Sequence, residues 1–497
     1  MKKRSEAGIM RFSLLVLFGL TLCARAAEVP KAPVPPSPYL PLVYRYADAM
    51  LQHGRDTCGP QSTGLFLSAL DRGGLKPLAD RPPAPAGIRE GDRVGLTSEP
   101  LAGANPQHDE NLLRLLYTLS ELSGKSGYRD AADTELKWFL QNAASSSTHL
   151  LPWGEHMFWN VLVDAPQPPQ PRGVHEFFRP WMLWDRCFDL APEASERFSL
   201  GLWKHQIADP ATGAFNRHAP FWTHGPVDGM DFPRHAGFYI RTWAVAWSRT
   251  KNPEFLRAIE SLLRRFEGKR HPQTGLIELI SGSPTAHVGL TLSLAIDCDG
   301  AAHRVPEPLA SRLRAFADRE DSIFCSLPHD FQGNGGFVVS LDKASAKGGV
   351  TVSPLWDARY GGMTTAQVGM MCVARYDNAC KAKYLELITA AADAYGNSLP
   401  DESVDAWPMT FGHAISLQLA AWRHTARPVY MDRARALADA AIARFWADNS
   451  PLPAASVKSR HYETITGADT LALALVELHL QILHITAVRC PPNTIDR

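Results

Sequence analysis

The sequence predicts an all-α fold: a toroid or barrel of about six to seven helical hairpins, with an (α/α)7 ring as the leading form. Three observations carry this. Helical apolar spacing recurs in about fourteen segments, whereas strand-like runs such as Gly336–Ser340 are few and short. No segment repeats at a fixed period, which argues against an open solenoid. No linker interrupts residues 40–485, and an open bundle of that length would be expected to divide into domains.

The helices are expected in the following order. Tyr39–His53 is amphipathic. Asp109–Ser123 opens on acidic residues, which suit a helix N-terminus, and continues with the stripe Leu112, Leu113, Leu115, Leu116, Leu119. Further segments fall near 129–142, 180–190, 193–206, 236–249, 253–267, 286–296, 307–320, 364–376, 381–397, 412–424, 428–447 and 467–487. Proline and glycine punctuate the gaps, as in Arg81-Pro82-Pro83-Ala84-Pro85 and Asn334-Gly335-Gly336. The longest loops, around 73–108, 143–178 and 207–235, lie between early helices, and functional residues concentrate in such loops.

Ahead of the helices, residues 1–26 read as an export signal. A basic stretch from Met1-Lys2-Lys3-Arg4 to Arg11 precedes the apolar run Phe12 to Leu22. Ala24-Arg25-Ala26 offers a cleavage site. The apolar run is too short to span a bilayer comfortably, so secretion without stable membrane insertion is expected. Residues 27–38 form a Pro-rich leader. A single α/α-barrel catalytic domain is expected over 39–490, with a monomer as the default.

Composition excludes some classes. The chain carries 51 basic and 51 acidic residues, so it lacks the basic excess that nucleic-acid binding usually needs. Its eight cysteines include no C-x-x-C pair, and removal of the signal leaves an odd number. Neither a disulfide framework nor a cysteine-ligated metal is expected. No G-x-S-x-G, H-E-x-x-H, P-loop or dinucleotide-binding fingerprint is present.

Three short segments carry chemistry. Gly154-Glu155-His156 lies in a Trp-rich stretch, His175-Glu176-Phe177 follows, and Asn216-Arg217-His218 comes after a turn-forming Asp209-Pro210-Ala211-Thr212-Gly213. Taken singly, each histidine reads as a buried side chain satisfied by backbone. Together, His156, Glu176 and His218 form a donor set for a divalent transition metal, placed on successive loops of one toroid face. Arg217 beside His218 suggests an anionic substrate next to that metal. Arg234-His235 is a competing pair: His235 replaces or supplements His218, or both residues contact substrate. Glu155 is placed to orient a ligand. Seven of the 13 tryptophans (Trp153, Trp159, Trp181, Trp184, Trp203, Trp222 and Trp243) crowd around these segments. Aromatic faces of this kind hold sugar rings, although core packing accounts for them equally.

The order G-E-H, H-E-F, N-R-H and then D-F-x-R-H resembles polysaccharide lyase family 2, the periplasmic pectate lyases. The resemblance covers 40–485 in layout and is specific over 150–240. It implies a periplasmic (α/α)7 barrel that cleaves polygalacturonate, or a related polyuronate, by β-elimination. It implies a divalent metal held by His156, Glu176 and His218, Mn²⁺ foremost, with Co²⁺, Ni²⁺ or Ca²⁺ as alternatives. Arg217 becomes the base. From the residues themselves, Arg234, His235, Trp153 and Arg179 are the expected substrate contacts. The partner implied is an anionic polysaccharide. Two other functions compete. A glycoside hydrolase needs two carboxylates flanking the bond, and Asp109, Glu110, Glu155, Asp228 and Asp231 form no recognisable pair. A periplasmic carbohydrate-binding protein would grip sugar without cutting it.

Overall fold

Helix after helix in this chain ends in a tight turn and restarts at once, and that rhythm builds the fold. The computed structural model describes residues 37–169, 173–223, 228–333 and 335–497. The expected export signal, and the leader up to residue 36, lie outside the described residues. The helices are α1 (Tyr39–His53), α2 (Glu110–Ser123), α3 (Ser126–Asn142), α4 (Trp184–Leu190), α5 (Pro192–Gly201), α6 (Pro233–Thr250) and α7 (Pro253–Gly268). They continue with α8 (Val288–Ala302), α9 (Leu309–Ser326), α10 (Thr365–Ala379), α11 (Ala382–Ala394), α12 (Pro408–Thr425), α13 (Pro428–Phe445) and α14 (Ala468–Ile482).

Two patterns of burial separate inner from outer helices. The even-numbered helices from α6 to α14 carry unbroken buried runs, Phe411 to Ala421 in α12 among them. Helices apolar on every face are buried on every face. By contrast α7 buries one stripe, Phe255, Ala258, Ile259, Leu262, Leu263 and Phe266, at helical spacing. Each inner helix packs on the outer helix that follows it, α2 on α3 through α12 on α13. Inner helices also pack on one another from α4 to α14. Helix α3 links α2 to α4, and α14 returns to touch both α1 and α2, so the ring closes with α1 as its last outer member. Among the described residues this is an α/α toroid of seven helical pairs.

The two kinds of connection differ in length. Inner-to-outer links are short: 124–125, 191, 251–252, 303–308, 380–381 and 426–427. Several share one device. A residue in the left-handed region stops the helix (Gly124 φ 72°, Lys251 φ 61°, Cys380 φ 50°, Ala426 φ 56°). At Lys251 and Ala426, a proline two residues later starts the next helix. Outer-to-inner links are long: 54–109, 143–183, 202–232, 269–287, 327–364, 395–407 and 446–467. They carry short strands, among them Val338–Asp342 where a strand was expected from Gly336. Helix starts differ from expectation at two prolines. Helices α6 and α12 begin at Pro233 and Pro408 rather than at 236 and 412, because proline is tolerated in a first turn. All seven cysteines among the described residues are unpaired. No helix among the described residues is long and apolar enough to cross a membrane.

Charge pairs lock the closure. Ala69–Leu70 pairs antiparallel with Tyr462–Glu463. Arg72 reaches Asp448 at 2.6 Å. The fully buried Arg93 grips Glu463 in a fork, Nε to Oε1 at 2.9 Å and Nη2 to Oε2 at 2.8 Å. Burial pushes the Glu463 carboxyl up, but His461 and Arg93 together hold it down at about 2, below its ordinary 4.5. A depressed carboxyl adds stability that is complete above 4.5 and is lost as pH falls towards about 2. Glu463→Ala leaves the buried Arg93 with only Pro82 and the half-exposed Glu90 as acceptors and is expected to cost about 3 kcal/mol, measured by urea unfolding near neutral pH. The difference between wild type and Glu463→Gln should shrink across that acidic window.

Candidate metal and anion site

Backbone pairing brings the three sequence segments together. Val174–His175 pairs antiparallel with Ala219–Pro220 in the register Val174↔Pro220 and His175↔Ala219. The next step of that register puts Glu176 beside His218. A parallel bridge joins Gly154 to Glu176, and the Glu155 N–H donates to the Glu176 carbonyl at 3.3 Å. Gly154 has φ +82°, and a Cβ there would lie 1.6 Å from the Glu176 carbonyl oxygen. Only glycine permits both the backbone angle and the approach. The glycine of G-E-H is therefore a packing requirement of the site.

Buried polar groups hold the loops in place. Asn105 donates to the Gly154 carbonyl at 2.8 Å and accepts from the Gly154 N–H at 3.1 Å. Gln206, in a π-helical turn over Leu202–Gln206, donates to the carbonyls of Asn216 and Arg217 at 2.6 and 3.0 Å. Its Oε1 lies 2.8 Å from His175 Nδ1, and Trp153 donates to His175 Nε2 at 3.2 Å. The Trp153 donor makes His175 Nε2 an acceptor, so the ring is neutral with its proton on Nδ1. Burial pushes the His175 pKa down to about 4, against the Gln206 bond.

The Glu176 side chain is fully buried and is shared by four partners. Its Oε2 lies 3.1 Å from His156 Nε2 and 2.8 Å from His218 Nε2. Its Oε1 takes Arg217 Nη1 and lies 3.2 Å from His235 Nε2. Despite that proximity, Glu176 Oε2 and His218 Nε2 have no hydrogen-bond partner. Burial lowers the His156 pKa and, with Arg217 and His156, takes His218 down to about 3. Both rings are thus neutral, as metal ligation requires. Ligand atoms of His156, Glu176 and His218 all lie within 4.8 Å of one another. Neutral nitrogens and an orphaned carboxylate oxygen converging on one point fit a divalent cation.

The guanidiniums lie beside this cluster. Arg217 sits 4.4 Å over the Phe232 ring, with Nη1 3.8 Å from Glu155 Oε2. Arg234 Nη2 meets Glu155 Oε1 at 3.0 Å. Burial pushes the Arg217 pKa below its ordinary value against Glu155, and Arg234 adds to the lowering. The cluster opens into a cleft of about 890 Å³ lined by His156, Arg217, His218, Arg89 and Asp92. A neighbouring section of about 390 Å³ shares Arg89, Glu155 and Arg217 with it, and adds Arg234, Arg359, Tyr360 and His287.

Two expected substrate contacts are corrected. Trp153 is 1% exposed and packs against Phe139, Phe177, Trp181 and Trp184, so its face meets core and not sugar. His235 is fully buried behind Glu176, with Nε2 also 3.2 Å from the Phe177 carbonyl. It supports the cluster from below and reaches no substrate. Glu155, Glu176 and His235 do form a second convergent triad, but Arg217 already occupies the Glu176 oxygen on that side. Trp181, Trp184 and Trp243 are core as well. Asp109 and Glu110 are buried in the ring wall, and Asp231 is bound by Arg265 and Lys269, so none serves the cleft. Arg89, Asp92, His287, Arg359 and Tyr360 were missed, because they lie in distant loops without a recognisable motif.

Residues 97–277 match the family described as periplasmic pectate lyase. That span contains every residue of the convergent triad and both arginine–histidine pairs. The resemblance to the periplasmic pectate lyases is borne out there. A curated relative, a pectate disaccharide-lyase of Dickeya dadantii (strain 3937), is 26% identical over 133 residues. The match covers 27% of this chain and 24% of that protein, so the chain spans about a quarter of the relative's length. Similar solved structures include a D-mannose isomerase (TM-score 0.49, 9% identity, 88% of this chain and 96% of that one). A cellobiose 2-epimerase from Bacillus thermoamylovorans B4167 has TM-score 0.48 and 10% identity, over 90% of this chain and 100% of that one. A GH76 α-mannanase of Bacteroides thetaiotaomicron has TM-score 0.46 and 10% identity, over 90% and 97%.

Gly154→Ala should therefore lose stability twice, by a left-handed backbone angle costing about 1–3 kcal/mol and by collision with Glu176. Gly124→Ala is the control: its φ is +72° and nothing lies within 4 Å of the added Cβ. Urea unfolding should show the larger loss for Gly154→Ala.

Proposed function

We propose that this chain is a metal-dependent lyase that cleaves polygalacturonate, or a related polyuronate, by β-elimination. The observation that carries the reading is the convergence of His156, Glu176 and His218 beside Arg217. The charge of the cleft supports an anionic substrate. The middle section is lined by four guanidiniums (Arg89, Arg217, Arg234, Arg359) against one carboxylate (Glu155). The family match over 97–277 and the name of the Dickeya relative support pectate as the polymer. The expected signal and the family's description support a periplasmic location, with a monomer as the working state.

A divalent cation, Mn²⁺ foremost, held by His156, Glu176 and His218 would neutralise a uronate carboxylate and acidify the adjacent C5 proton. The protein's own residues do the rest. Arg217 removes the C5 proton, the C4–C5 double bond forms, and the C4 glycosidic oxygen leaves and is protonated by water. Burial favours the neutral guanidine that this step needs, against Glu155, and Arg234 adds to the lowering. Glu155 fixes Arg217 and Arg234 relative to each other, since its two oxygens face one guanidinium each. Arg89 and Arg234 clamp neighbouring carboxylates.

The test is incubation of polygalacturonate with protein and Mn²⁺, following ultraviolet absorbance of the new conjugated double bond. Wild type should produce it, and a chelator should abolish it. Hydrolysis by paired carboxylates would survive the chelator and give no absorbance. Arg217→Ala is expected to lower turnover by about 10²–10⁴-fold, the usual contribution of a general base. His218→Ala should abolish turnover and weaken Mn²⁺ binding, measured by calorimetry. Polygalacturonate left intact by wild type with every divalent metal tried would sink the reading.

A further inference from the structure

The cleft continues inward to a pocket that the elimination chemistry leaves unused. Arg179 lines it and is 1% exposed. Its Nε, Nη1 and Nη2 all lack a hydrogen-bond partner. Its ion-pair partner is Asp496, with Nη1 3.0 Å from Oδ1, and Asp496 already takes His413 and Thr470, each at 3.0 Å. A guanidinium has five donors, and buried donors left unpaired carry a desolvation cost. The Tyr360 hydroxyl and Arg234 Nε are also buried without partners, and both residues line the same pocket. The lining carries four guanidiniums (Arg179, Arg234, Arg359, Arg497) against two carboxylates (Glu155, Asp496). Arg497 is committed to Asp297 and Ser293, whereas Arg179, with one ion pair to Asp496 and its guanidinium 4.6 Å over the Phe178 ring, keeps donors without hydrogen-bond partners.

The pocket is small, about 50 Å³, which is roughly the room of one or two water molecules and fits a carboxylate better than a sugar ring. It shares Glu155, Arg234, Arg359 and Tyr360 with the middle section of the cleft, so a ring lying there reaches it with one substituent. We propose that this pocket is an anion subsite that receives the carboxylate of a uronate unit away from the scissile bond, through Arg179 and the Tyr360 hydroxyl. The subsite rests on the lyase reading for the identity of its ligand. It does not rest on the metal cluster, because none of the three convergent residues lines it.

Calorimetric titration of metal-free protein with galacturonate, galactose and acetate tests the subsite directly. Galacturonate should bind, and galactose should bind about 10- to 100-fold more weakly, the value of a hydrogen-bonded charge. Arg179→Gln should lose the preference for galacturonate. Should that variant misfold because Asp496 loses its partner, Tyr360→Phe serves instead. It removes a hydroxyl that nothing holds, and should weaken galacturonate about 2- to 10-fold with no change in melting temperature. Galacturonate and galactose binding alike, or both variants matching wild type, would overturn the subsite. Acetate binding as tightly as galacturonate would overturn it too, because the pocket would then serve free carboxylates or hold ordered water alone. If wild type cleaves polygalacturonate while both variants bind galacturonate normally, the subsite fails and the lyase reading stands. If binding depends on Arg179 but no polyuronate is cleaved, the lyase reading fails and the anion pocket remains.

Discussion

One buried carboxylate organises this molecule's chemistry. Glu176 has no exposure, and an ionised carboxylate out of water is tolerated only where positive or donating groups surround it. Arg217 and His235 face one oxygen; His156 and His218 face the other. Arg217 balances the charge, whereas His235, whose pKa burial drives well below its ordinary value, offers only an N–H donor. The second pair brings imidazole nitrogens within 3.1 Å of an oxygen that has no hydrogen-bond partner, a donor set that fits a divalent cation. Removing any of the four alters the balance for the others, so their contributions are not independent.

That carboxylate is positioned by backbone before side chains act. The pairing of Val174–His175 with Ala219–Pro220 fixes His218 next to Glu176, and the Gly154 bridge fixes His156. Gln206 then ties the carbonyls of Asn216 and Arg217 to His175. Three loops widely separated in sequence thereby share one rigid frame. Such preorganisation keeps ligand atoms in place without drawing on substrate binding energy. A π-helical turn at the end of α5 aims Gln206 inward, in keeping with the frequent use of such turns at functional sites.

Much of this was legible in the sequence, and the boundary has physical causes. Helical periodicity located the helices because both inner and outer members have long apolar segments. The ring was legible from their number and the lack of a linker. The convergent residues were legible because G-E-H, H-E-F and N-R-H are short motifs tied to local backbone demands. The role of His235 was not, since a first-turn histidine after Pro233 gives no sign of which face it presents. Trp153 looked like a sugar platform because composition does not distinguish a tryptophan with a core partner from one facing a cleft. Arg89, Arg359 and Tyr360 stand in loops that meet the motif residues only after the ring closes. Asp496 and Arg497, beyond the expected end of the domain at 490, reach the cleft through buried pairs with Arg179 and Asp297.

A chain of zero net charge nevertheless builds a basic cleft, and the loop architecture explains how. Every long connection enters an inner helix, so the long loops gather at the inner-helix N-termini, where the helix dipole adds positive potential. Acidic side chains elsewhere are used up in structural pairs: Asp448 with Arg72, Glu463 with Arg93, Asp321 with Arg375, Asp297 with Arg497. The cleft guanidiniums collect where loops from different helical pairs meet, Arg89 paired there with Asp92 and Arg359 with Asp357. Glu155 tempers them, since it faces both Arg217 and Arg234 and offsets part of their mutual repulsion. Overall charge therefore says little about the ligand of this protein, whereas the local imbalance along one wall says a great deal. An anion entering the cleft meets Arg217 and Arg234 already oriented and largely desolvated, and in such a setting a fixed charge acts more strongly than it would in water.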